Sequence, residues 1–279
     1  MNSKIKNALA LNKRLTLLIP FALIAIFLII LPIILIIVNA FIPREGFDSF
    51  QLVKETKTWV QIWRSLKIGI VSSIICLIIG LPYAYFVATS KNKFLPIYGI
   101  SLILSPMIIF TIAKIYAIKG FFLAITPPEN QDSLNAEWFM ILALVYLNLP
   151  YIVMPLYSVF RDMPRNIIEA SLDLGYNKFQ TFLKVVIPYS LKAIIGGLGL
   201  IFLSSATTFV ISNKLLLNKN QLQTIGAVIN EYTIPSNEFK LASGSVLVLV
   251  VSFIFIGSYF VIYAIPRIFI KLKKGWTNE

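Results

Sequence analysis

Six unbroken apolar stretches, each about as long in helix as a bilayer is thick, restrict this chain to very few folds. A hydrocarbon core of about 30 Å needs roughly 20 apolar residues at about 1.5 Å per residue. Runs of that length extend over residues 15–42, 66–88, 94–118, 138–160, 188–212 and 241–265. Their continuous Ile, Leu, Val and Phe exclude the alternating ten-residue segments of a membrane β-barrel. The connections leave no room for a water-soluble domain. The expectation is therefore an all-α polytopic membrane protein with six transmembrane helices and a single transmembrane domain over residues 1–279. A mean hydropathy of +0.83 and a charged fraction of 13% agree with it.

The first run follows Lys4, Lys6, Lys13 and Arg14 and is trailed by Val38-Asn39-Ala40, a pattern shared with cleaved secretion signals. Its apolar part is about twice as long as a signal core, so an uncleaved helix is expected. Lys and Arg gather before the first run, at Lys91 and Lys93, at Arg161, Arg165, Lys178 and Lys184, and in the tail at Arg267, Lys271, Lys273 and Lys274. The other three connections balance eight basic residues against eight acids. The positive-inside rule then puts both termini in the cytoplasm of a multi-pass cell-membrane protein. The net charge of +13 is read as an anchor to anionic lipid of the bilayer, and no nucleic-acid partner is expected.

Several chemistries are missing. With no histidine, the Ser-His-Asp triad, the zincin motif and histidine-held metals are excluded, and no metal site is expected. No Gly-Lys dipeptide exists to build a phosphate-cradling P-loop. None of the twelve acids falls within an apolar run, which argues against proton- or ion-coupled carriage by intramembrane carboxylates. Cys76, with Ser72 and Gly80 at four-residue spacing, predicts a small-residue packing face. Pro20, Pro32, Pro82, Pro106, Pro150 and Pro155 predict kinks.

Between the fourth and fifth runs, residues 161–187 carry more charge than a mere connection needs. Pro164 suits a helix start, Gly175 a left-handed exit and Asn177 the cap of a second short helix. Ile168 with Leu172, and Phe179 with Phe182 and Leu183, are expected to share faces, with Glu169, Asp173 and Lys178 outward. Such an amphipathic pair needs either a partner surface or the headgroup layer.

Glu169-Ala170-Ser171, Gly175 after three further residues, and Val185-Val186-Ile187-Pro188 resemble the EAA motif of ABC importer permeases, with Ser171 in place of the second alanine. The resemblance implies that Arg165 to Phe182 forms coupling helices seated on a cytoplasmic ATPase. Glu169 would be the charged contact and Ala170 and Gly175 the close-approach positions, with Arg165, Ser171, Leu172, Phe179 and Pro188 completing the coupling set. It implies no catalytic residue and no cofactor bound by this chain, the ATP and Mg being used by the partner ATPase. Implied partners are a second, homologous permease, two copies of the ATPase, an external substrate-binding protein and the lipid bilayer. Over most of the chain, including "ALVYLNLPYIVMPLYSVF", "YAIKGFF" and "IGAVINEY", the sequence is most similar to spermidine/putrescine permeases of the first-subunit type.

A polyamine path would use aromatic faces and negative charge. Tyr146, Asn148, Tyr151, Thr207 and Thr208 are candidate path residues, with ordinary helix packing as the alternative. Glu231 and Tyr232, with the acidic connection holding Glu129, Asp132 and Glu137, would attract a cation from outside. Lys114 is expected to snorkel about 6 Å to the outer face from the end of the third run. An anion or ferric-ion cargo, or a stand-alone channel or ion-coupled carrier, are the competing functions.

Overall fold

Backbone that cannot reach water inside lipid must bond to itself, and in the computed structural model the described part of every apolar run is mainly helical. Residues 19–218 and 222–275 are described, with side chains to residue 264. The basic amino-terminal residues, Lys219 and the side chains of the basic tail, on which the expected orientation partly rests, lie outside them. The main helices are α1 (Pro20–Phe41), α2 (Thr56–Thr89), α3 (Phe94–Ile108), α4 (Thr111–Ile125), α5 (Glu137–Arg161), α6 (Arg165–Asp173), α7 (Lys178–Thr181), α8 (Leu191–Ala206), α9 (Ile225–Tyr232) and α10 (Glu238–Gly275). Four of them (α1, α2, α5, α10) are individually long and apolar enough to cross a membrane. The count reaches six when two bent pairs are each taken as one span.

Those bends correct the third and fifth boundaries. The third run is two helices meeting at 100°, α3 and α4, with Ile109 and Phe110 extended between them. Pro106 starts the break, because it has no N–H for the Leu102 carbonyl, which accepts the Ser105 hydroxyl instead at 2.9 Å. Lys114 therefore sits in the first turn of a helix that continues to Ile125, far from the outer end assumed for it. The fifth run bends by 71° between Lys178–Tyr189 and α8. Helix α8 then stops at Ala206, and Val210–Lys214 forms a separate turn. There Gly226 packs so closely that a Cβ would lie 2.4 Å from the Thr207 carbonyl oxygen, and the Thr224 hydroxyl donates to the Thr208 carbonyl at 2.9 Å.

Proline also explains two π turns, Ile26–Ile30 and Phe182–Val186. Each ends two residues before a proline, Pro32 or Pro188, whose ring would strike the carbonyl four residues back. Widening the preceding turn relieves that clash. The wide bonds run from the Leu31 N–H to the Ile26 carbonyl and from the Ile187 N–H to the Phe182 carbonyl.

The described residues fall into two compact units. The larger holds Glu55–Glu231 and the chain from Val251, and is built on α2, α5 and α8. Helix α2 presents Ser65, Gly69, Ser72, Ser73, Cys76, Gly80 and Ala84, all buried. The predicted small-residue face is thus present and longer than expected. A Cβ on Gly80 would lie 2.7 Å from Ile152 Cγ2, and one on Gly69 3.0 Å from the Ala206 Cβ. At 34 residues, about 50 Å, α2 outreaches the hydrocarbon, and its extra turns carry charge. Arg64 meets Glu137 at 3.3 Å and donates to the Gln223 carbonyl at 3.0 Å, while Lys67 pairs with the same Glu137. Glu137, expected to help attract a cation, is therefore already matched by two bases.

The smaller unit holds the chain up to Lys54 together with Tyr232–Val250. After α1, Gly46 turns the chain at φ +69°, and Phe47 packs edge-on against Phe239 at 5.0 Å. Asp48 pairs with Lys54 and accepts the Phe50 amide at 2.9 Å. The Lys54 ammonium, helped by that amide, holds the Asp48 carboxyl below its ordinary range.

Candidate functional site

Helix α5 ends at Arg161, and two short helices follow before α8. Pro164 is extended and precedes the first of them, so α6 begins at Arg165. Its exit is set by Gly175 at φ +87°. The Gly175 N–H donates to the Leu172 carbonyl at 2.9 Å and the Tyr176 N–H to the Ser171 carbonyl at 3.2 Å, the paired bonds of a Schellman ending. Asn177 then caps α7 reciprocally. Its side chain accepts the Gln180 N–H at 2.8 Å while the Gln180 side chain accepts the Asn177 N–H at 3.0 Å. The predicted bend at Gly175 and cap at Asn177 are both present.

The distribution of side chains differs from the expected faces. The bundle side of the segment is formed by Ile167, Ile168, Ser171, Thr181 and Phe182. Ser171, 5% exposed, shares a 2.9 Å hydrogen bond with Thr181 and so latches α6 to α7. It faces inward and offers no docking contact. Phe182 packs on Tyr85 at 5.1 Å, and Tyr85 meets Phe160 edge-on at 5.6 Å, which ties the segment to the ends of α2 and α5. Lys184 lies 4.7 Å from the centroid of the Tyr176 ring.

Leu172 and Phe179 stay uncovered, the latter 68% exposed, together with Leu174 and Leu183. Arg165, Glu169, Ala170 and Asp173 are exposed as well, as is Pro188 at the base. The result is an apolar edge with a carboxylate beside it, held from behind by a hydrogen-bonded latch and three aromatic rings. An edge of this kind can dock a partner and carry a displacement into the bundle. Among the described residues no three His, Cys, Asp or Glu lie together as a metal site.

The candidate path residues do not gather in one place. Asn148, 3% exposed, is bonded between α5 and α8, its amide donating to Ser205 Oγ at 2.9 Å and its carbonyl oxygen accepting Ser204 Oγ at 3.0 Å. Its contacts are interhelical. The Thr207 hydroxyl turns back to the Leu203 carbonyl at 2.7 Å. Tyr146 and Tyr151 are uncovered on α5, and Tyr151 with Lys114 lines a cavity of about 320 Å³ at the break between α3 and α4. Glu231 is exposed at the end of α9, where the Lys240 ammonium lies 5.9 Å from the Tyr232 ring centroid. Lys67, Lys114 and Thr181 were not singled out by sequence for the roles they occupy. The base count of the second run would have exposed Lys67, whereas nothing local marks Thr181 as the partner of Ser171.

Residues 77–271, from the middle of α2 onward, match the family described as binding-protein-dependent transport system inner membrane component. The chain is similar to the spermidine/putrescine transport system permease protein PotB homolog of Mycoplasma genitalium, 29% identical over 282 residues that cover 96% of this chain and 98% of that protein. It is 31% identical over 234 residues to the spermidine/putrescine transport system permease protein PotB of Haemophilus influenzae, covering 76% and 80% of the two chains. The homolog of that permease in Mycoplasma pneumoniae is 32% identical over 196 residues, covering 67% and 68%.

Proposed function

The chain belongs to the family of binding-protein-dependent transport system inner membrane components, and from that membership we propose that it is the permease subunit of an ATP-driven importer that carries spermidine or putrescine into the cell. One observation supports the coupling part above all: the outward edge of α6 and α7, with Glu169 and Phe179 exposed and Ser171 and Thr181 latched behind them. A separate cytoplasmic ATPase, in two copies, seats one such edge on this chain and one on a second, related permease. When ATP draws the two ATPases together, the edge moves with them. The latch keeps α6 and α7 rigid, and Phe182 passes the movement through Tyr85 and Phe160 to α2 and α5, shifting the population between inward- and outward-facing bundles.

The cargo rests on the names of the similar permeases, with a secondary reason in the exposed Glu129 and Asp132 of one connection, which favour a cation over an anion. An external binding protein delivers it. The test is uptake of labelled spermidine into proteoliposomes holding this chain with its co-encoded permease, ATPase and binding protein. Accumulation should require ATP on the ATPase side and should fall to background in Glu169→Arg, with the assembled bundle still folded. Phe179→Ala should lower uptake and binding-protein-stimulated ATPase together, by about tenfold for loss of a buried aromatic anchor at an interface. Accumulation without any ATPase would refute the importer. ATPase stimulation with uptake of neither labelled spermidine nor labelled putrescine would refute the cargo alone.

A further inference from the structure

Lys114 is 8% exposed in the first turn of α4, and none of the ion pairs among the described residues includes its ammonium. It lines the cavity at the α3/α4 break together with Thr111 and Tyr151. Every described carboxylate lies in a connecting segment or at the first residue of a spanning helix, so none of the described residues supplies Lys114 with a counter-charge. Charged groups inside membranes pair, or face a wet cavity, because leaving them alone in hydrocarbon is costly.

The backbone around the cavity points the same way. Ile109 and Phe110 are extended, and Ile108 and Phe110 beside the break are 86% and 87% exposed. Non-helical backbone at membrane depth is tolerated where protein or water covers it, and not against lipid chains. An uncovered break and an unmatched ammonium at one opening call for a chain that brings both cover and a negative charge.

We propose that the cavity at the α3/α4 break receives a carboxylate side chain of the second permease subunit, with Lys114 as its counter-ion, and that Ile108 and Phe110 form the apolar rim of that contact. The inference rests on the importer reading, which supplies the second permease. A lipid headgroup could also offer negative charge, but its acyl chains would then lie against the open backbone of the break.

The test uses the whole co-expressed complex in membranes, with Phe110 replaced by benzoylphenylalanine for photo-crosslinking. The label should join this chain to the second permease. In Lys114→Glu the crosslink should fall by at least about tenfold, the scale expected when a buried charge loses its partner or meets a like charge. Lys114→Arg should keep it. Membrane content and protease resistance of each variant check folding, and where Lys114→Glu fails that check, Lys114→Met decides by the same loss. Crosslinks to lipid alone, or a wild-type yield in a folded Lys114→Met, would overturn the proposal. A crosslink to the second permease in a complex that accumulates neither spermidine nor putrescine leaves the inference standing and removes the cargo. Spermidine accumulation with crosslinks to lipid only does the reverse.

Discussion

At Gly175 backbone conformation decides, because its φ is +87° and a Cβ there would meet nothing within 4 Å. The cost of a side chain is therefore conformational, about 1–2 kcal/mol for most residues in the left-handed region and less for asparagine. Binding-protein-stimulated ATPase and thermal stability of the complex should both fall in the order Gly175→Asn, Gly175→Ala, Gly175→Val. An effect of equal size in all three would point to contact with a partner and away from backbone strain. Asp48 offers a second test at this scale. Its carboxyl is lowered in the folded chain, so the Lys54 pair is in place above the ordinary carboxylate value and is lost as pH falls through the lowered one. Proteolysis between Ile42 and Glu55 should rise on acidification, and Lys54→Met should remove that pH dependence. Gly175 and Asn177 could be read from sequence because left-handed exits and caps depend on one residue and its near neighbours. The inward turn of Ser171 could not, since its partner Thr181 belongs to another helix.

Among the elements, α2 carries the longest row of small buried side chains, and these let α5 and α8 approach. Gly80→Ala already sets a methyl 2.7 Å from the Ile152 branch methyl, which the stiff χ1 of a helical isoleucine holds in place, and Gly80→Leu overfills the same contact further and should cost about 1–3 kcal/mol. Thermal denaturation in detergent should show the loss, and Ile152→Ala in the Gly80→Leu background should restore part of it. Recovery no better than in Ile152→Ala alone would mean that the two helices do not meet at this pair. The spans α2 and α5 were legible in the hydropathy, with α2 reaching ten residues beyond its apolar run. The bends in the third and fifth runs were not, because hydropathy records how apolar a residue is and carries no sign of direction. Pro106 marked a kink, but only Ser105, Leu102 and the extended Ile109 and Phe110 make it a 100° turn.

For the molecule as a whole, family membership and the exposed edge of α6 and α7 describe a component that acts inside an assembly. Native mass spectrometry of the intact complex should find one copy of this chain, one of the second permease and two of the ATPase. Two copies of this chain in place of the second permease would contradict that composition. The two short helices and their turn were legible because their signals are contiguous, while the candidate path was not, since solute contacts depend on how chains meet around a space. The π turn at Phe182–Val186 adds a constraint of timing. It inserts one residue between the exposed edge of α6 and α7 and the start of α8, and one residue is worth about 100° of rotation about a helix axis. The turn thus works like the index mark between two gears: it sets the compass bearing at which Glu169 and Phe179 leave the membrane. Deleting Lys184 together with Pro188→Ala should leave a folded bundle that points its edge the wrong way and no longer co-purifies with the ATPase. The number of residues between Glu169 and Pro188 thus sets the direction of that edge, as the side chains set its contact surface.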